Sequence, residues 1–450
     1  MKTLLKNIDT LITCDDGDRV LKNVDLWIEN GRIVKIGHLD ETPDEAFDCS
    51  DMIAYPGLVN THHHLYQYFT RNLAAVQGLE LFDWLKALYE IWKNLNADTV
   101  LLSSLSGMAE LMRYGCTTVM DHHYVFPKGS GDLIGAQFEA AAALKIRFHA
   151  CRGSMDLSKK DGGLPPDSVV QTVDEILSDC QQAIERYHDN SELSMKQVLL
   201  APCSPFSVST ELLRQSALLA RDCGVRLHTH LCETKDEENF TLETFGKRPL
   251  AYMESIGFVG SDVFYAHGIH FTTEELKFLS DTQTGVCHCP SSNMKLGSGV
   301  ARVPEMLKLN VPIGLGVDGS ASNDGSSMLS EIRTAYLLHR LIYKEAAPSG
   351  YELLKLATRG SARLLGRGDI GQLKEGCAAD MFMLRRNDCS LLCADNDEKN
   401  MLGTVGINRP CDLVFVNGVC TVRDGELVFV DENRLYLDAN AEIRRLLLFA

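Results

Sequence analysis

Between residues 55 and 375, short apolar segments alternate with amphipathic segments of helical periodicity. Strands that alternate with helices form parallel sheets, and eight such units over roughly 320 residues predict a (β/α)8 barrel. In barrels of this kind the active site lies at the carboxyl ends of the strands. The eight candidate strands are IAYPGLVNT, CTTVMD, RFHACR, QVLLAPC, VRLHTHL, VFYAHG, TGVCHC and VPIGLGVD.

Both ends of the chain have a different pattern from the middle. Residues 1–54 and 376–450 contain short β-rich segments separated by turn dipeptides, such as the NG of ENGRI and the NG and DG near the C-terminus. These dipeptides between apolar segments are typical of β-hairpins. We therefore expect a small β-sandwich domain built discontinuously from residues 1–54 and 376–450, beside a barrel domain of residues 55–375.

Charge and composition exclude several classes of function. The chain has 44 basic and 61 acidic residues, a formal charge of −17, whereas surfaces that bind nucleic acids or anionic membranes need clustered Lys and Arg. Its first residues, MKTLLKNIDTLITCDD, lack the pattern of a secretion signal. The 15 cysteines then indicate free thiols in a reducing compartment. We expect a cytoplasmic protein with no nucleic-acid or membrane partner.

Polar residues occur at the ends of several candidate strands. In GLVNTHHHLYQ, His62 and His64 project from the same face of an extended chain, whereas His63 projects from the other face. Two imidazoles at this spacing can bind one metal ion, although an isolated pair is often structural. A second pair, His228 and His230 in RLHTHLCETKDE, has the same spacing. The spacing does not decide which member of the second pair would be a ligand.

Three further positions extend this pattern. Glu233 follows the second histidine pair by three residues, His267 ends the strand in FYAHGIH, and Asp318 ends the Gly-rich strand in IGLGVDGSASND. Each signal is weak by itself, because a single histidine at a strand end is more often packed or hydrogen-bonded. Four such strand ends, in order along one barrel, predict a shared metal site.

These segments resemble a known group of enzymes over nearly the whole chain. PGLVNTHHH, HTHLCET, YAHGIH, CHCPSSNMKLGSG, GLGVDGSASND and ATRGSARLLGRGDIGQLKEGCAADM look like the deaminase branch of the amidohydrolase superfamily. The resemblance implies that Glu233, His267 and Asp318 handle protons, and that His228 lies one layer below the metal inside the barrel. It also implies one divalent ion, Zn²⁺ with Fe²⁺ as the alternative, held by His62, His64, His230 and Asp318.

The implied chemistry is hydrolytic deamination of a ring. A divalent ion bound by imidazoles and a carboxylate lowers the pKa of a bound water, which makes hydroxide available for attack on the amino-bearing carbon. Glu233 then moves protons, and ammonia departs. Hydrolysis of cyclic amides in the same superfamily typically uses two metals bridged by a carboxylated lysine. QVLLAPCSP has no lysine at its C-terminal end, which favours the deaminase.

The segments GLELFDWLKALYEIW and VMDHHYVF look closest to those of 8-oxoguanine deaminases, and they are also similar to hydroxytriazine aminohydrolases. Gln67 lies where similar purine deaminases bind the heterocycle through a glutamine, the alternative being a solvated loop residue. Cys203 in APCSPF replaces a histidine that nucleoside deaminases use for the sugar, which favours a free base. The expected reaction converts 8-oxoguanine to urate and ammonia. A hydroxylated s-triazine or isoxanthopterin is the alternative substrate.

Other candidates have less specific signals. Arg152 could bind a ring carbonyl or form a salt bridge, and His123 is favoured over His122 to face the pocket. HCPSSNMKLGSG is interpreted as a loop that shapes the pocket. A non-catalytic barrel scaffold is the alternative from another class, and the resemblance implies a homo-oligomer. Three aromatic residues of one predicted helix are expected to pack in the core rather than cover a substrate: Trp84, Tyr89 and Trp92.

Overall fold

The computed structural model describes residues 2–448, and strands from both ends of the chain form one mixed sheet. These strands are β1 (Lys2–Ile12), β2 (Val20–Glu29), β3 (Arg32–Gly37), β4 (Glu45–Asp48), β5 (Met52–Pro56), β16 (Met381–Arg385), β17 (Leu413–Val416), β18 (Val419–Arg423) and β19 (Glu426–Leu427). Their order across the sheet is β19-β18-β17-β16-β5-β1-β2-β3, with β4 beside β1. The sheet has its own apolar core, which includes Leu5, Leu26 and Phe415.

Three hairpins of this sheet turn at the dipeptides that the sequence indicates. Asn30–Gly31 joins β2 to β3, Asn417–Gly418 joins β17 to β18, and Asp424–Gly425 joins β18 to β19. All six residues have positive φ, between 49° and 82°. Positive φ at both central residues is the requirement of a type I′ turn, which matches the twist of the flanking strands. Local chemistry therefore determines these turns.

The middle of the chain forms an eight-stranded parallel sheet in the order β14-β13-β12-β11-β10-β9-β8-β6. Each strand overlaps one of the eight candidate segments, so the predicted (β/α)8 barrel with a small β structure from both termini is confirmed. Its strands are β6 (Leu58–Asn60), β8 (Cys116–His123), β9 (Arg147–Ser154), β10 (Lys196–Pro202), β11 (Leu227–Leu231), β12 (Val263–His267), β13 (Gly285–His288) and β14 (Ile313–Leu315).

The first and last barrel strands meet where the chain continues beyond them. The backbone N–H of Thr61 donates to the Leu315 carbonyl over 3.3 Å, and the N–H of Asp318 donates to the His62 carbonyl over 3.0 Å. Two short parallel strands, β7 (His63–His64) and β15 (Asp318–Gly319), pair directly above this contact. Closure of the barrel thus places the first histidine cluster beside Asp318.

Helices alternate with the barrel strands, as the pattern predicts, and further helices lie near the strand ends and in the C-terminal part of the chain. They are α1 (Leu81–Trp92), α2 (Ala97–Arg113), α3 (Leu133–Leu144), α4 (Val173–Tyr187), α5 (Thr210–Cys223), α6 (Lys235–Phe245), α7 (Pro249–Ser255), α8 (Thr273–Thr282), α9 (Pro290–Lys295), α10 (Val303–Lys308), α11 (Ser320–Asn323), α12 (Met328–Tyr343), α13 (Gly350–Lys355), α14 (Ser361–Leu364), α15 (Met401–Thr404) and α16 (Glu432–Leu447). Within residues 2–448, no helix is both long enough and apolar enough to cross a membrane.

Candidate active site

The carboxyl ends of the barrel strands bring four groups of a metal-binding type together. The Nε2 atoms of His62 and His64 each lie 3.3 Å from Asp318 Oδ1, and the Nε2 atoms of His64 and His230 are 3.2 Å apart. All four residues are buried or nearly so. His63, between the first two, instead contacts Ser326 Oγ over 3.1 Å, as strand alternation requires.

Hydrogen bonds on the far side of each imidazole determine which nitrogen carries the proton. His64 Nδ1 lies 2.7 Å from the His122 carbonyl, and His230 Nδ1 lies 2.7 Å from the Cys203 carbonyl. A carbonyl oxygen only accepts, so both Nδ1 atoms are donors, and each Nε2 of a neutral ring presents a lone pair. Two lone pairs 3.2 Å apart repel one another unless a cation lies between them.

His62 also has its Nε2 lone pair free, but its Nδ1 is held by a second histidine and not directly by a carbonyl. Its Nδ1 lies 2.9 Å from His228 Nε2, and His228 Nδ1 lies 2.9 Å from the Phe264 carbonyl. Burial lowers the pKa of His62 well below its usual range, so the ring is neutral. Among the described residues, His62 Nε2 has no hydrogen-bond partner. A buried nitrogen lone pair without a donor is expected of a metal ligand.

The donor set fits a divalent transition metal. Three imidazole nitrogens and one carboxylate are the ligand types that Zn²⁺ prefers, although iron and manganese accept the same set. Asp318 is held in place by hydrogen bonds to both oxygens: the Gly319 N–H donates to Oδ1 over 2.7 Å, and Ser292 Oγ donates to Oδ2 over 2.5 Å. Fixed ligands of this kind bind a metal with little reorganisation.

Glu233 and His267 lie beside this cluster. Glu233 Oε2 is 3.4 Å from His267 Nε2, and the Asn293 side-chain amide donates to His267 Nδ1 over 2.9 Å. The proton of a neutral His267 therefore lies on Nε2, the nitrogen that faces Glu233. Burial, together with the negative charges of Asp318 and Glu237, raises the pKa of Glu233 well above its usual range. This pair can hold and transfer protons.

Glu237 holds the loop that carries Glu233. Its two carboxylate oxygens accept the backbone N–H groups of Cys232 (2.8 Å) and Glu233 (2.9 Å), and burial raises its pKa to about 7. Cys232, His267 and Asp318 have φ values of 56°, 72° and 63°. Such positive φ values are uncommon for residues other than glycine, and they cluster at functional sites where surrounding contacts hold them.

A cavity opens onto these groups. Gln67 and Cys203 line it, together with Tyr124 and Ser322. Two polar atoms of the lining have no hydrogen-bond partner in the described part of the chain, Gln67 Oε1 and Trp84 Nε1. The apolar wall consists of Leu81, Trp84, Leu85, Phe206 and Leu296.

The structure does not bring every predicted residue to this cavity. Arg152 pairs with Asp179 Oδ2 over 2.9 Å and stacks 3.7 Å from the centre of the Phe126 ring. The salt bridge is the alternative that the sequence left open beside a contact with the substrate. His123 donates from Nε2 to the Val125 carbonyl over 2.9 Å. Tyr124, its neighbour, lines the cavity instead.

Sequence reasoning did not identify several residues that support the site. Glu237, Ser292, Asn293 and Ser298 contact Glu233, Asp318 or His267. Three of them lie in HCPSSNMKLGSG, which the sequence predicted to shape the pocket. Part of that segment is helix α9. Its Ser292 side chain bonds to Asp318 on strand β15, and its Asn293 side chain bonds to His267 on strand β12. Of the predicted aromatic group, Trp84 lines the cavity, whereas Tyr89 and Trp92 are buried beside it.

Comparison with known proteins gives a consistent result. The sequence model described as "Amidohydrolase family" matches residues 53–421. The chain is 45% identical over 410 residues to an 8-oxoguanine deaminase of Pseudomonas aeruginosa, covering 90% of this chain and 91% of that protein. It is 38% identical over 462 residues to hydroxydechloroatrazine ethylaminohydrolase of Pseudomonas sp. (strain ADP), covering 99% and 96%.

A solved structure similar over the whole chain is that of atrazine chlorohydrolase TrzN from Arthrobacter aurescens TC1 complexed with zinc. The TM-score is 0.94 at 33% identity, and the match covers 98% of this chain and 100% of the other.

Proposed function

This chain belongs to the amidohydrolase family and is a hydrolase of carbon–nitrogen bonds, and from that premise we propose that it deaminates an oxidised purine base. The proposed reaction is 8-oxoguanine plus water to urate plus ammonia. The observation that carries the proposal is the convergence of three imidazole lone pairs and one carboxylate beside a cavity that His64, His230 and Asp318 line.

We assign His62, His64, His230 and Asp318 as the ligands of one divalent ion, Zn²⁺ with Fe²⁺ as the alternative. The tautomers of the rings support this assignment, because each leaves Nε2 free to donate its lone pair. When bound, such an ion polarises a water molecule and lowers its pKa towards neutrality. The protein's part is to hold the four donors in place and to keep the surrounding cavity closed to bulk water.

Proton transfer is assigned to Glu233, with His267 and Asp318 orienting the attacking water. A carboxyl group whose pKa is raised by burial can hold a proton near neutral pH. Glu233 would deliver this proton to a ring nitrogen next to the amino-bearing carbon. It would then carry one proton of the attacking water to the departing amine, which leaves a ring carbonyl, and the water's other proton would restore the carboxyl group. His267 Nε2–H faces Glu233 Oε2 at 3.4 Å, and the Asn293 side chain holds the His267 ring through Nδ1.

Unpaired polar atoms in the cavity support a lactam-containing ring as the substrate. Gln67 Oε1 needs a donor, and Trp84 Nε1 needs an acceptor. A buried polar atom left without a partner costs about 1–3 kcal/mol, so a ligand that offers both an N–H and a C=O is favoured. The 8-oxo group and its neighbouring ring N–H provide this combination. Cys203 lines the cavity at the position where nucleoside deaminases have a histidine for the sugar, which favours a free base.

Ammonia release from a substrate panel tests the proposal. Purified protein would be assayed with 8-oxoguanine, guanine, isoxanthopterin and N-alkyl hydroxytriazines, with amine release followed for the last. We expect the highest kcat/KM for 8-oxoguanine. A preference for a hydroxytriazine would contradict the proposal and would favour the activity of the 38% identical relative, hydroxydechloroatrazine ethylaminohydrolase. Protein that never retains about one equivalent of transition metal after supplementation would support the non-catalytic scaffold instead.

Several sequence predictions stay predictions. These are the substrate contacts of Arg152 and His123, the assembly into a homo-oligomer and the cytoplasmic location. A crystal structure with bound urate would decide the first of them directly, because it would show which side chains touch the ring.

A further inference from the structure

One of the three proposed ligand histidines is held differently from the other two. His64 and His230 each donate Nδ1–H to a carbonyl of the backbone, of His122 and Cys203 respectively. His62 Nδ1 instead contacts a side chain, His228 Nε2, over 2.9 Å. His228 is fully buried in the barrel on strand β11, two residues before His230.

The far nitrogen of His228 determines the direction of this contact. His228 Nδ1 lies 2.9 Å from the carbonyl of Phe264 on the adjacent strand β12. Because the carbonyl accepts, His228 carries its proton on Nδ1, and Nε2 of a neutral imidazole then bears a lone pair. His228 Nε2 is then an acceptor, and His62 Nδ1 must donate to it.

We propose that His228 is a positioning residue, which locks His62 in the tautomer and ring orientation that presents the Nε2 lone pair to the metal. The inference rests on the metal centre proposed above. Without an acceptor at this point, His62 could carry its proton on Nε2, where an N–H group would face the cation. Partners of this kind are typically worth 10- to 100-fold in metal affinity.

The contact also explains why two histidines alternate in LHTHL. Residues two apart on a strand share a face but differ in depth along the barrel axis. His230 lies at the level of the cavity, which it lines. His228 lies one step deeper, beneath His62 and against the Phe264 ring, whose centre is 4.4 Å away. The deeper histidine thus acts through His62 and does not line the cavity.

Three substitutions at one position test this role. His228→Leu removes the acceptor, His228→Asn has an amide too short to reach His62, and His228→Gln can place its amide oxygen near the position of Nε2. The measurement is Zn²⁺ affinity by competition with a chelator, together with the thermal unfolding of each metal-free protein. His149→Leu is the matched control, because His149 is also fully buried on a barrel strand but contacts Arg367.

We expect the Leu and Asn variants to lose 10- to 100-fold in Zn²⁺ affinity, with Gln and the His149 control retaining most of it. Wild-type affinity in the Leu or Asn variant would overturn the proposal. Equal losses in Gln and Asn would also overturn it, since they would indicate a packing role alone. If His228→Leu does not fold, the comparison of Gln with Asn still decides. Wild-type protein that binds no Zn²⁺ would refute the metal centre itself, which is a separate result.

Discussion

At the scale of single residues, the chemistry of this site depends on which ring nitrogen of each histidine carries the proton. Each of the three imidazoles proposed as ligands has its opposite nitrogen, Nδ1, held by a hydrogen bond. For His64 and His230 that partner is a carbonyl, and for His62 it is a histidine that itself donates to a carbonyl. Each arrangement leaves a lone pair directed at one point. Neutral rings with fixed tautomers are the form in which histidine binds metals.

Substitution of Glu233 tests the proposed proton transfer. Glu233→Gln should retain the metal, because Glu233 is not one of the four proposed ligands, but turnover should fall by roughly 10²–10⁴-fold, the usual contribution of general acid–base catalysis. Metal content and kcat would be measured on the same preparation. Glu243→Gln, at an exposed position of the following helix, is the control. Wild-type turnover in Glu233→Gln would show that the proton carrier is misassigned.

Gly319 tests the assignment of Gln67 to the substrate. A β-carbon at residue 319 would lie 1.9 Å from Gln67 Oε1, while its φ of −65° accommodates alanine. Gly319→Ala should therefore displace Gln67 and raise KM about 2- to 10-fold, the equivalent of one hydrogen bond. Gln67→Ala should have a similar effect.

The double variant Gly319→Ala/Gln67→Ala should be no worse than either single variant, because both remove the same contact. Gly325→Ala is the control, since its nearest neighbour would be 3.5 Å away. Additive increases in KM would mean that Gly319 acts independently of Gln67. Metal content should stay unchanged in all four proteins.

At the scale of elements, strand ends supply the reacting groups and one helix closes the cavity over them. Strands β7 and β15 pair for two residues and align His64 with Gly319. Helix α1 contributes Leu81, Trp84 and Leu85 to the apolar wall. The strand ends have strained backbone at His267 and Asp318, whereas α1 has ordinary amphipathic packing. The barrel strands therefore supply the proposed ligands and catalytic residues, and helix α1 supplies part of the apolar wall of the cavity.

Substitution of Trp84 tests whether helix α1 donates a hydrogen bond to the substrate or only shapes the cavity. Trp84→Phe keeps an aromatic ring in the wall but removes the indole N–H. We expect KM to rise about 2- to 10-fold, because a net hydrogen bond is worth about 0.5–1.5 kcal/mol, with a smaller change in kcat. Trp27→Phe is the control, since its indole donates to Glu29 on the terminal sheet. An unchanged KM for Trp84→Phe would exclude a hydrogen bond from this helix.

At the scale of the whole molecule, a buried ion pair joins the barrel to the terminal sheet. Arg147 begins barrel strand β9, and its guanidinium donates to Asp380, which directly precedes strand β16. Both side chains are almost fully buried. The other carboxylate oxygen of Asp380 accepts the backbone N–H of Asn417 over 2.7 Å. One carboxylate thus connects three distant parts of the chain.

Loss of this carboxylate charge should destabilise the protein strongly. Asp380→Asn leaves the Arg147 charge buried without compensation, which typically costs about 3–5 kcal/mol. The apparent free energy of unfolding in denaturant would be compared with that of the wild type. Asp438→Asn, which breaks the exposed pair with Arg434, should change it by less than about 1 kcal/mol. Similar small effects of both substitutions would show that the buried pair does not hold the two parts together.

The sequence by itself determined the elements and the order of the chemical groups. The eight barrel strands, the helices between them and the three hairpin turns follow from periodicity and turn residues, which are local properties. The pairing of His62 with His64 on one face follows from strand alternation. Spacing alone left His228 and His230 equivalent, because both project from the same face of one strand.

Apart from the family resemblance, only the tertiary structure separated these two histidines, because it shows that His230 meets His64 at the cavity whereas His228 contacts His62. The same holds for Asn293 and Glu237, which support His267 and Glu233 through contacts that no local pattern specifies. It also holds for Arg152, whose charge is paired with Asp179 away from the cavity. Barrel closure and packing determine which residues distant in sequence come into contact. These contacts exist only in the folded chain, so no local sequence pattern specifies them.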